Sequence, residues 1–489
     1  MYFWTVVIVQ KNYKTIVQMI RPWQLQIELN FHCEKPLFLQ ITDAIINAIK
    51  SGKLKQGEAL PGSRQLAEQL KVNRNTIVNA LDVLLSEGWL ISKERKGTFV
   101  ADVLQKSNKL KTITSRENNT QEKPVKNAIV FDDGLPDSRL APMTELARAY
   151  RQIFNRKSRW QMMGYSDELG DLDFRAAIMQ MLNFKRGMNI EASEICITRG
   201  SQMAMYLTAH CLLGKGDFVL IENPGYKPAW QAFESAGANL LPVSVDKEGV
   251  NIEEIEHYLK TNKKIKAIYT TPHHQFPTTV TMSLQRRLQL VALSNKYGFT
   301  IIEDDYDNEF HFGHRPVFPI SSFENAHNFI YIGTLSKIVA PALRIGFLVS
   351  SINFIEKVGT LRKLIDVQGD NIMEQAVLQL INDGEVKRHL KRTSAIYKTK
   401  RDYFETVLND HLSDKVTFTK PDGGLAFWLT PKAETDIFKL AEKLQKQGIG
   451  IITPDKFSFD APISGFRLGY ASLSEKQLEE GSITISRLL

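Results

Sequence analysis

Cysteine is scarce: Cys33, Cys196 and Cys211 are the three in 489 residues. They are widely spaced and form no CxxC pair, which argues against a disulfide framework and a structural zinc and points to a reducing cytoplasm. Long apolar runs are missing as well. No segment reaches the roughly 18–20 apolar residues that a membrane span needs. The start, from Met1 to Val9, has neither a basic n-region nor a small-residue cleavage site, so it makes a poor signal peptide. Residues 1–18 read as an extension that the folded parts do not need, with Met19 the more natural beginning. Net charge is absent from most of the chain: residues 128–489 carry 43 basic and 43 acidic side chains.

The formal charge of +8 therefore sits in the first quarter. Residues 1–30 hold 3 basic and 1 acidic side chains, residues 31–105 hold 10 and 8, and residues 106–127 hold 6 and 2. Attraction to phosphate is useful there. A hydrophobic content of 43% and a charged content of 24% fit a soluble globular chain, and the length favours two or more domains.

From Leu37 to Lys50, Leu37, Ile41, Ala44, Ile45, Ala48 and Ile49 fall on one face at helical spacing, and Gly52 ends the helix. A second helix begins near Ser63, a natural N-cap, with Leu66, Ala67 and Leu70 as its inner stripe. Asn73 caps a third, which runs from Arg74 to about Glu87 and stops at Gly88. Two short strands follow, around Leu90–Ser92 and Thr98–Val100, joined by a turn through Lys93, Arg95, Lys96 and Gly97. This order is that of a winged helix-turn-helix. The third helix enters the major groove, so Arg74, Asn75 and Thr76 at its start meet base edges, while Arg64 reaches phosphate or a guanine edge. Lys93, Arg95, Lys96 and Gly97 form the wing. The blocks Leu60-Pro61, Ser63-Arg64, Leu66-Ala67, Arg74, Thr76-Ile77, Glu87-Gly88-Trp89-Leu90 and Gly97-Thr98-Phe99-Val100 resemble the GntR family of bacterial regulators, with Asn73 where that family usually has Ser. The resemblance implies binding to double-stranded operator DNA.

Residues 106–127 are polar and basic, the composition of a flexible linker. The expected organisation is an extension over 1–30, the winged helix over 31–105, the linker over 106–127 and a large domain over 128–489, with a smaller subdomain from about 370 to 489. In the large domain, short apolar strands (Val219–Ile221, Ala267–Tyr269, Thr300–Ile302) alternate with helical patterns. That predicts the α/β class with a mixed, mostly parallel sheet.

Several motifs in this domain carry chemistry. Lys337 lies in Gly333-Thr334-Leu335-Ser336-Lys337, with Arg344 seven residues on. Arg199-Gly200-Ser201-Gln202 stands at a strand-to-helix junction, where backbone N–H groups meet a phosphate. Glu303-Asp304-Asp305-Tyr306-Asp307 ends a strand, the place where α/β sheets bind ligands. Tyr226 stands in Glu222-Asn223-Pro224-Gly225-Tyr226 and Arg467 in Gly465-Phe466-Arg467-Leu468-Gly469. Amine chemistry on an aldehyde needs such a set: an amine, a carboxylate at a ring nitrogen, phosphate donors and a guanidinium for a substrate carboxylate.

The set resembles fold-type I, aspartate-aminotransferase-like domains over about residues 129–489, and the whole chain resembles the MocR/GabR group of regulators. The resemblance implies pyridoxal 5'-phosphate held by Lys337 as a Schiff base. It puts Asp304 at the pyridine nitrogen, Tyr306 at the ring hydroxyl and Tyr226 against the ring. Gly200, Ser201, Gln202, Thr334, Ser336 and Arg344 go to the phosphate, His274 and Gln275 lie near the cofactor, and Arg467 takes the α-carboxylate of an amino-acid ligand. Tyr165, in Gly164-Tyr165, reaches the phosphate of a neighbouring subunit, which implies a homodimer. Two departures stand out: Phe276 occupies a position where aminotransferases usually have Asn, and Thr279 one where Gly is common.

Three readings follow. One is a transcriptional regulator whose large domain senses an amino compound or the cofactor itself. Another is an active aminotransferase with an accessory DNA-binding domain. A third is a repressor whose large domain only dimerises.

Overall fold

The computed structural model describes residues 27, 29–31, 35–93, 97–101, 129–155, 160, 163–313 and 317–489. The expectations for residues 1–18, for Arg95 and Lys96 and for the linker over 106–127 lie outside the described residues. The chain divides into two compact units, residues 1–121 and 122–489.

In the first unit, α1 (Leu37–Lys50), α2 (Ser63–Leu70) and α3 (Arg74–Ser86) precede an antiparallel pair, β1 (Leu90–Lys93) and β2 (Gly97–Val100). The inner stripes meet as their spacing demands. Ile41, Ile45 and Ile49 of α1 pack with Leu66 of α2, Ile77, Leu81 and Leu84 of α3, and Leu90 and Val100 of the hairpin. Each such side chain taken from water contributes about 1.5–3 kcal/mol. The expectation for Ser63 needs correction: Gly62, with extended backbone, is the N-cap of α2, and Ser63 is its first helical residue. The Ser63 hydroxyl accepts instead from Arg74 Nε at 3.4 Å, so it links the starts of α2 and α3. Asn73 does cap α3, its side chain accepting from the Asn75 N–H at 2.9 Å.

The second unit is built on an eight-stranded sheet in the order Ile195–Thr198, Gly346–Val349, Phe329–Thr334, Thr300–Asp305, Ile265–Thr270, Phe218–Asn223, Asn239–Asp246 and Gly249–Val250. The five pairs inward of the edges include four parallel ones, and the Gly346–Val349 strand runs antiparallel to both its neighbours. Parallel strands buried on both faces read as continuous Val/Ile/Leu runs, which is why they were legible as short apolar segments. A three-stranded antiparallel sheet (Val416–Phe418, Ala426–Pro431, Phe466–Gly469) packs with the helices Glu385–Leu412 and Glu475–Leu488 toward the C-terminus. Among the described residues no helix is long and apolar enough to cross a membrane.

Replacing Asn73 by Ala removes the α3 cap. Hydrogen exchange of the α3 amides in the full chain should quicken about fivefold, the equivalent of ~1 kcal/mol. Unchanged exchange would show that the cap contributes nothing.

Candidate functional site

The parallel strands end at a common edge, and the chemistry-bearing residues gather there. Asp133, Leu135, Ser201, Tyr226, Tyr269, Thr271, Phe276, Asp304, Tyr306, Thr334, Ser336, Lys337, Pro341 and Arg344 line one cavity of about 170 Å³. Lys337 follows the Phe329–Thr334 strand, and its Nζ donates to the Gly134 carbonyl at 3.1 Å and lies 4.5 Å from the centre of the Tyr306 ring. Burial pulls the Lys337 ammonium below the ordinary lysine range, while the charges of Asp307 and Asp133 hold it back up.

Asp304 closes the floor. The Tyr269 hydroxyl donates to its Oδ2 at 2.7 Å, whereas Oδ1 is buried with no partner among the described residues. Burial pushes the Asp304 carboxyl up to about 7, against the Tyr269 bond and helped by the charge of Asp305. Its neighbours face elsewhere and are satisfied differently. Glu303 accepts from the Ile320 and Ser321 N–H groups at 2.8 and 2.9 Å. Asp305 accepts from Tyr331 and Asn308 and pairs with Arg186 at 3.5 Å.

At the opposite end, Gly200 caps the helix Ser201–Leu212 with φ +78, a conformation that suits glycine. A Cβ on Gly200 would stand 2.7 Å from the Arg344 guanidinium, and one on Gly346 would stand 2.6 Å from the Gly200 carbonyl carbon. The backbone there is packed too closely for any side chain. Thr334 Oγ1 donates to the Ile345 carbonyl and accepts from the Ser336 N–H, both at 3.1 Å. The Ser336 hydroxyl is buried and unpartnered among the described residues.

The other expected residues are not at the cavity wall. His274 is buried, its Nδ1 2.7 Å from Asp307 Oδ1 and its carbonyl accepting from the Tyr306 hydroxyl at 2.8 Å. Gln275 Nε2 donates to Glu222, Pro224 and Phe276, which fixes the loop beneath the site. Gln202 donates to the Pro228 carbonyl at 3.1 Å. Arg467 is 1% exposed; its Nε donates to the Asp133 carbonyl at 2.9 Å and one terminal nitrogen to the Pro277 carbonyl at 2.7 Å. Its guanidinium lies 5.0 Å from the centre of the Phe276 ring, and Phe276, not Arg467, meets the cavity. Tyr165 is 90% exposed and lies outside the cavity of its own chain. Thr279 takes φ +66, which explains why glycine suits that position.

Sequence reasoning missed Tyr269, Asp133 and Leu135. A lone tyrosine inside the buried run Ala267-Ile268-Tyr269 was the available signal, since a buried hydroxyl needs a partner. Nothing in the order of residues announces that Asp133 lies beside Lys337.

On the first unit, Arg64, Arg74 and Asn75 are exposed at the starts of α2 and α3, and Thr76 is half-buried. Lys93 Nζ lies 5.0 Å over the Phe99 ring, and Gly97, at φ +105, opens β2.

Comparison with known proteins finds a family for each unit. The family model "Aminotransferase class I and II" matches residues 128–483, and "Bacterial regulatory proteins, gntR family" matches residues 37–100. The probable rhizopine catabolism regulatory protein MocR of Rhizobium meliloti is 29% identical, with 93% of this chain and 94% of the relative covered. The HTH-type transcriptional regulator TauR of Rhodobacter capsulatus is 25% identical over 92% and 96%. Among solved structures, Pyrococcus horikoshii kynurenine aminotransferase in complex with PMP superposes with a TM-score of 0.70 at 29% identity, covering 74% of this chain and 91% of that one. The cofactor of such a domain is pyridoxal 5'-phosphate, and the unpartnered Asp304 and Ser336 atoms beside Lys337 fit it. The chain belongs to the class I and II aminotransferase family and, by joining that domain to a gntR-family DNA-binding domain, to its MocR-type transcriptional regulators.

Proposed function

We propose that this regulator binds an operator as a homodimer and senses an amino compound in the cavity around Lys337. One observation carries the reading: two buried polar atoms without partners among the described residues, Asp304 Oδ1 and Ser336 Oγ, belong to residues that wall the same cavity as a lysine whose ammonium is destabilised. Pyridoxal phosphate supplies an aldehyde that reacts with primary amines and a ring that withdraws electrons. Lys337 holds the aldehyde end. Asp304 would hold the pyridine nitrogen, whose positive charge would favour the ionised carboxylate. Tyr306 and Tyr226 flank the ring, and Ser201, Thr334, Ser336 and Arg344 form the phosphate end. His274, Gln275 and Asp307 support the wall without touching the ligand. Tyr165, exposed on its own chain, completes the phosphate end of a partner copy.

The regulator reading is favoured over a working aminotransferase by coverage. The regulators align over nine-tenths of the chain, whereas the kynurenine aminotransferase covers only the large unit. Arg64, Arg74 and Asn75 serve as the DNA-reading residues, with Lys93 and Gly97 in the wing. If ligand states differ in operator affinity, linkage requires that operator alter ligand affinity by the same factor.

Arg74→Ala should weaken operator binding by about 1–3 kcal/mol and relax specificity, read by fluorescence anisotropy; unchanged affinity would remove α3 as the reading helix. Operator affinity should shift between the cofactor-free chain, the loaded chain and the loaded chain with an amine, and Lys337→Ala should abolish the response to amine. Equal affinities in all states would leave the large unit without a sensing role.

A pH effect also follows. The folded Asp304 carboxyl is raised from 3.8 to about 7, so the native cofactor-free chain holds a proton that the unfolded chain has released. Its contribution is present at low pH and is lost as pH rises through about 7. The melting temperature of the cofactor-free chain should fall over this window, and Asp304→Asn should make the fall shallower. An identical slope in the variant would mean that Asp304 does not titrate there.

A further inference from the structure

We propose that His274 and Asp307 form a buried pair that acts through Lys337: it holds the lysine as the ammonium and so sets the pH at which the amine becomes free to take up the cofactor aldehyde. Both are positioning residues, since neither lines the cavity. The inference rests on the reading that Lys337 holds the cofactor, and deepens it.

The pair is assembled from two strand ends. His274 follows the strand Ile265–Thr270, and Asp307 follows the neighbouring strand Thr300–Asp305. Both side chains are buried, with His274 Nδ1 2.7 Å from Asp307 Oδ1. An ionised carboxylate can only accept, so the proton of this bond belongs to His274 Nδ1. The His274 carbonyl accepts from the Tyr306 hydroxyl at 2.8 Å, and the Tyr306 ring centre lies 4.5 Å from Lys337 Nζ. On another side the Gly423–Gly424 turn presses against the pair. A Cβ on Gly423 would stand 2.6 Å from His274 Nε2, and one on Gly424 would stand 3.0 Å from Asp307 Oδ2. That turn is fixed by the Gly424 N–H, which donates to the Phe310 carbonyl at 2.8 Å, and by the Tyr470 hydroxyl, which donates to the Gly424 carbonyl at 2.7 Å.

Asp307 Oδ2 is buried without a hydrogen-bond partner among the described residues. A pair with a structural role alone would satisfy both oxygens, because an unmet buried carboxylate oxygen is costly. Here the compensation comes from charge at longer range. Burial pushes the Asp307 carboxyl up, but His274, Lys337 and Arg467 outweigh it and hold the group below the ordinary aspartate value. The same charge acts back on the lysine. Burial pulls the Lys337 ammonium down; Asp307 is the foremost carboxylate opposing that, ahead of Asp133 and Asp132, while Arg467 works with burial. Asp304 and the phenols of Tyr306 and Tyr470 also feel the Asp307 charge.

The chemistry gives this charge a consequence. The ammonium first releases a proton to solvent. The Nζ lone pair then attacks the aldehyde carbon, a C=N bond replaces the C=O bond, and the aldehyde oxygen leaves as water with the two remaining nitrogen protons. Uptake therefore quickens as pH rises through the titration of the lysine, and Asp307 moves that titration to higher pH.

The test follows uptake of excess pyridoxal phosphate by the cofactor-free full chain at the visible absorption band, by stopped flow across pH. Rate constants under excess cofactor do not depend on how much of a variant folds, and the titrations of the cofactor itself are common to every variant. Asp307→Asn should move the midpoint of the profile down by about one pH unit. His274→Phe should move it the same way, because a buried carboxylate deprived of its donor takes up a proton. His274→Asn keeps an N–H donor and should leave the midpoint in place. Asp307→Asn combined with His274→Phe should fall no further than Asp307→Asn alone. An unmoved midpoint in Asp307→Asn, or in His274→Phe should the first not fold, overturns the proposal, and equal falls in His274→Phe and His274→Asn overturn the pairing. If the unsubstituted chain takes up no cofactor, or Lys337→Ala develops the same band, the reading of Lys337 falls as well. Uptake that needs Lys337 but ignores Asp307 removes the proposal alone.

Discussion

Three consecutive carboxylates, Glu303, Asp304 and Asp305, are taken out of water at the end of one strand, and the site depends on how each is compensated. The alternation of a strand sends the middle one to one face and its neighbours to the other. Glu303 is met by two backbone N–H groups of a loop. Asp305 is met by Arg186, Tyr331 and Asn308, drawn from a helix, the adjacent strand and the next turn. Asp304 and Asp305 each keep an Oδ1 without a hydrogen-bond partner among the described residues, and of the two only Asp304 lines the cavity. A buried carboxylate without full compensation is costly, so the elements around it are held in place by the need to satisfy the other two, and the remaining demand is directed into the cavity.

That arrangement explains why so much of the site was legible. Asp304 and Thr334 lie at the ends of strands and Tyr306, Ser336, Lys337 and Arg344 in the segments beside strand ends, and parallel strands bring such ends to one edge. Local order was enough to find them. The rest depended on non-local pairing. Tyr269 meets Asp304 only because their two strands are neighbours in the sheet, and Asp133 reaches the cavity from a segment about 200 residues before Lys337. His274 and Gln275 are buried and hydrogen-bonded to Asp307 and to Pro224, away from the cavity wall. Ser63 moved one position into its helix because glycine, with extended backbone, took over as cap. In the winged helix, periodicity alone located the core, since its helices bury single stripes.

The two departures from the aminotransferase pattern now have different meanings. Thr279 keeps the left-handed backbone that glycine would adopt more readily, so the turn survives the change at some local strain. Phe276 changes the chemistry of the wall. An amide there would offer a hydrogen bond, whereas the ring offers a face, 5.0 Å from the Arg467 guanidinium.

Arg467 has a mechanical side as well. It stands on a strand of the small C-terminal sheet, yet its guanidinium grips a carbonyl in the turn before Gly134 and another in the loop at Pro277. One side chain thereby staples three segments separated by hundreds of residues. A swing of the small sheet cannot leave the cavity wall behind, because the turn and the loop are tethered to it. The turn before Gly134, the loop at Pro277 and the small sheet are thereby held in one register around the cavity.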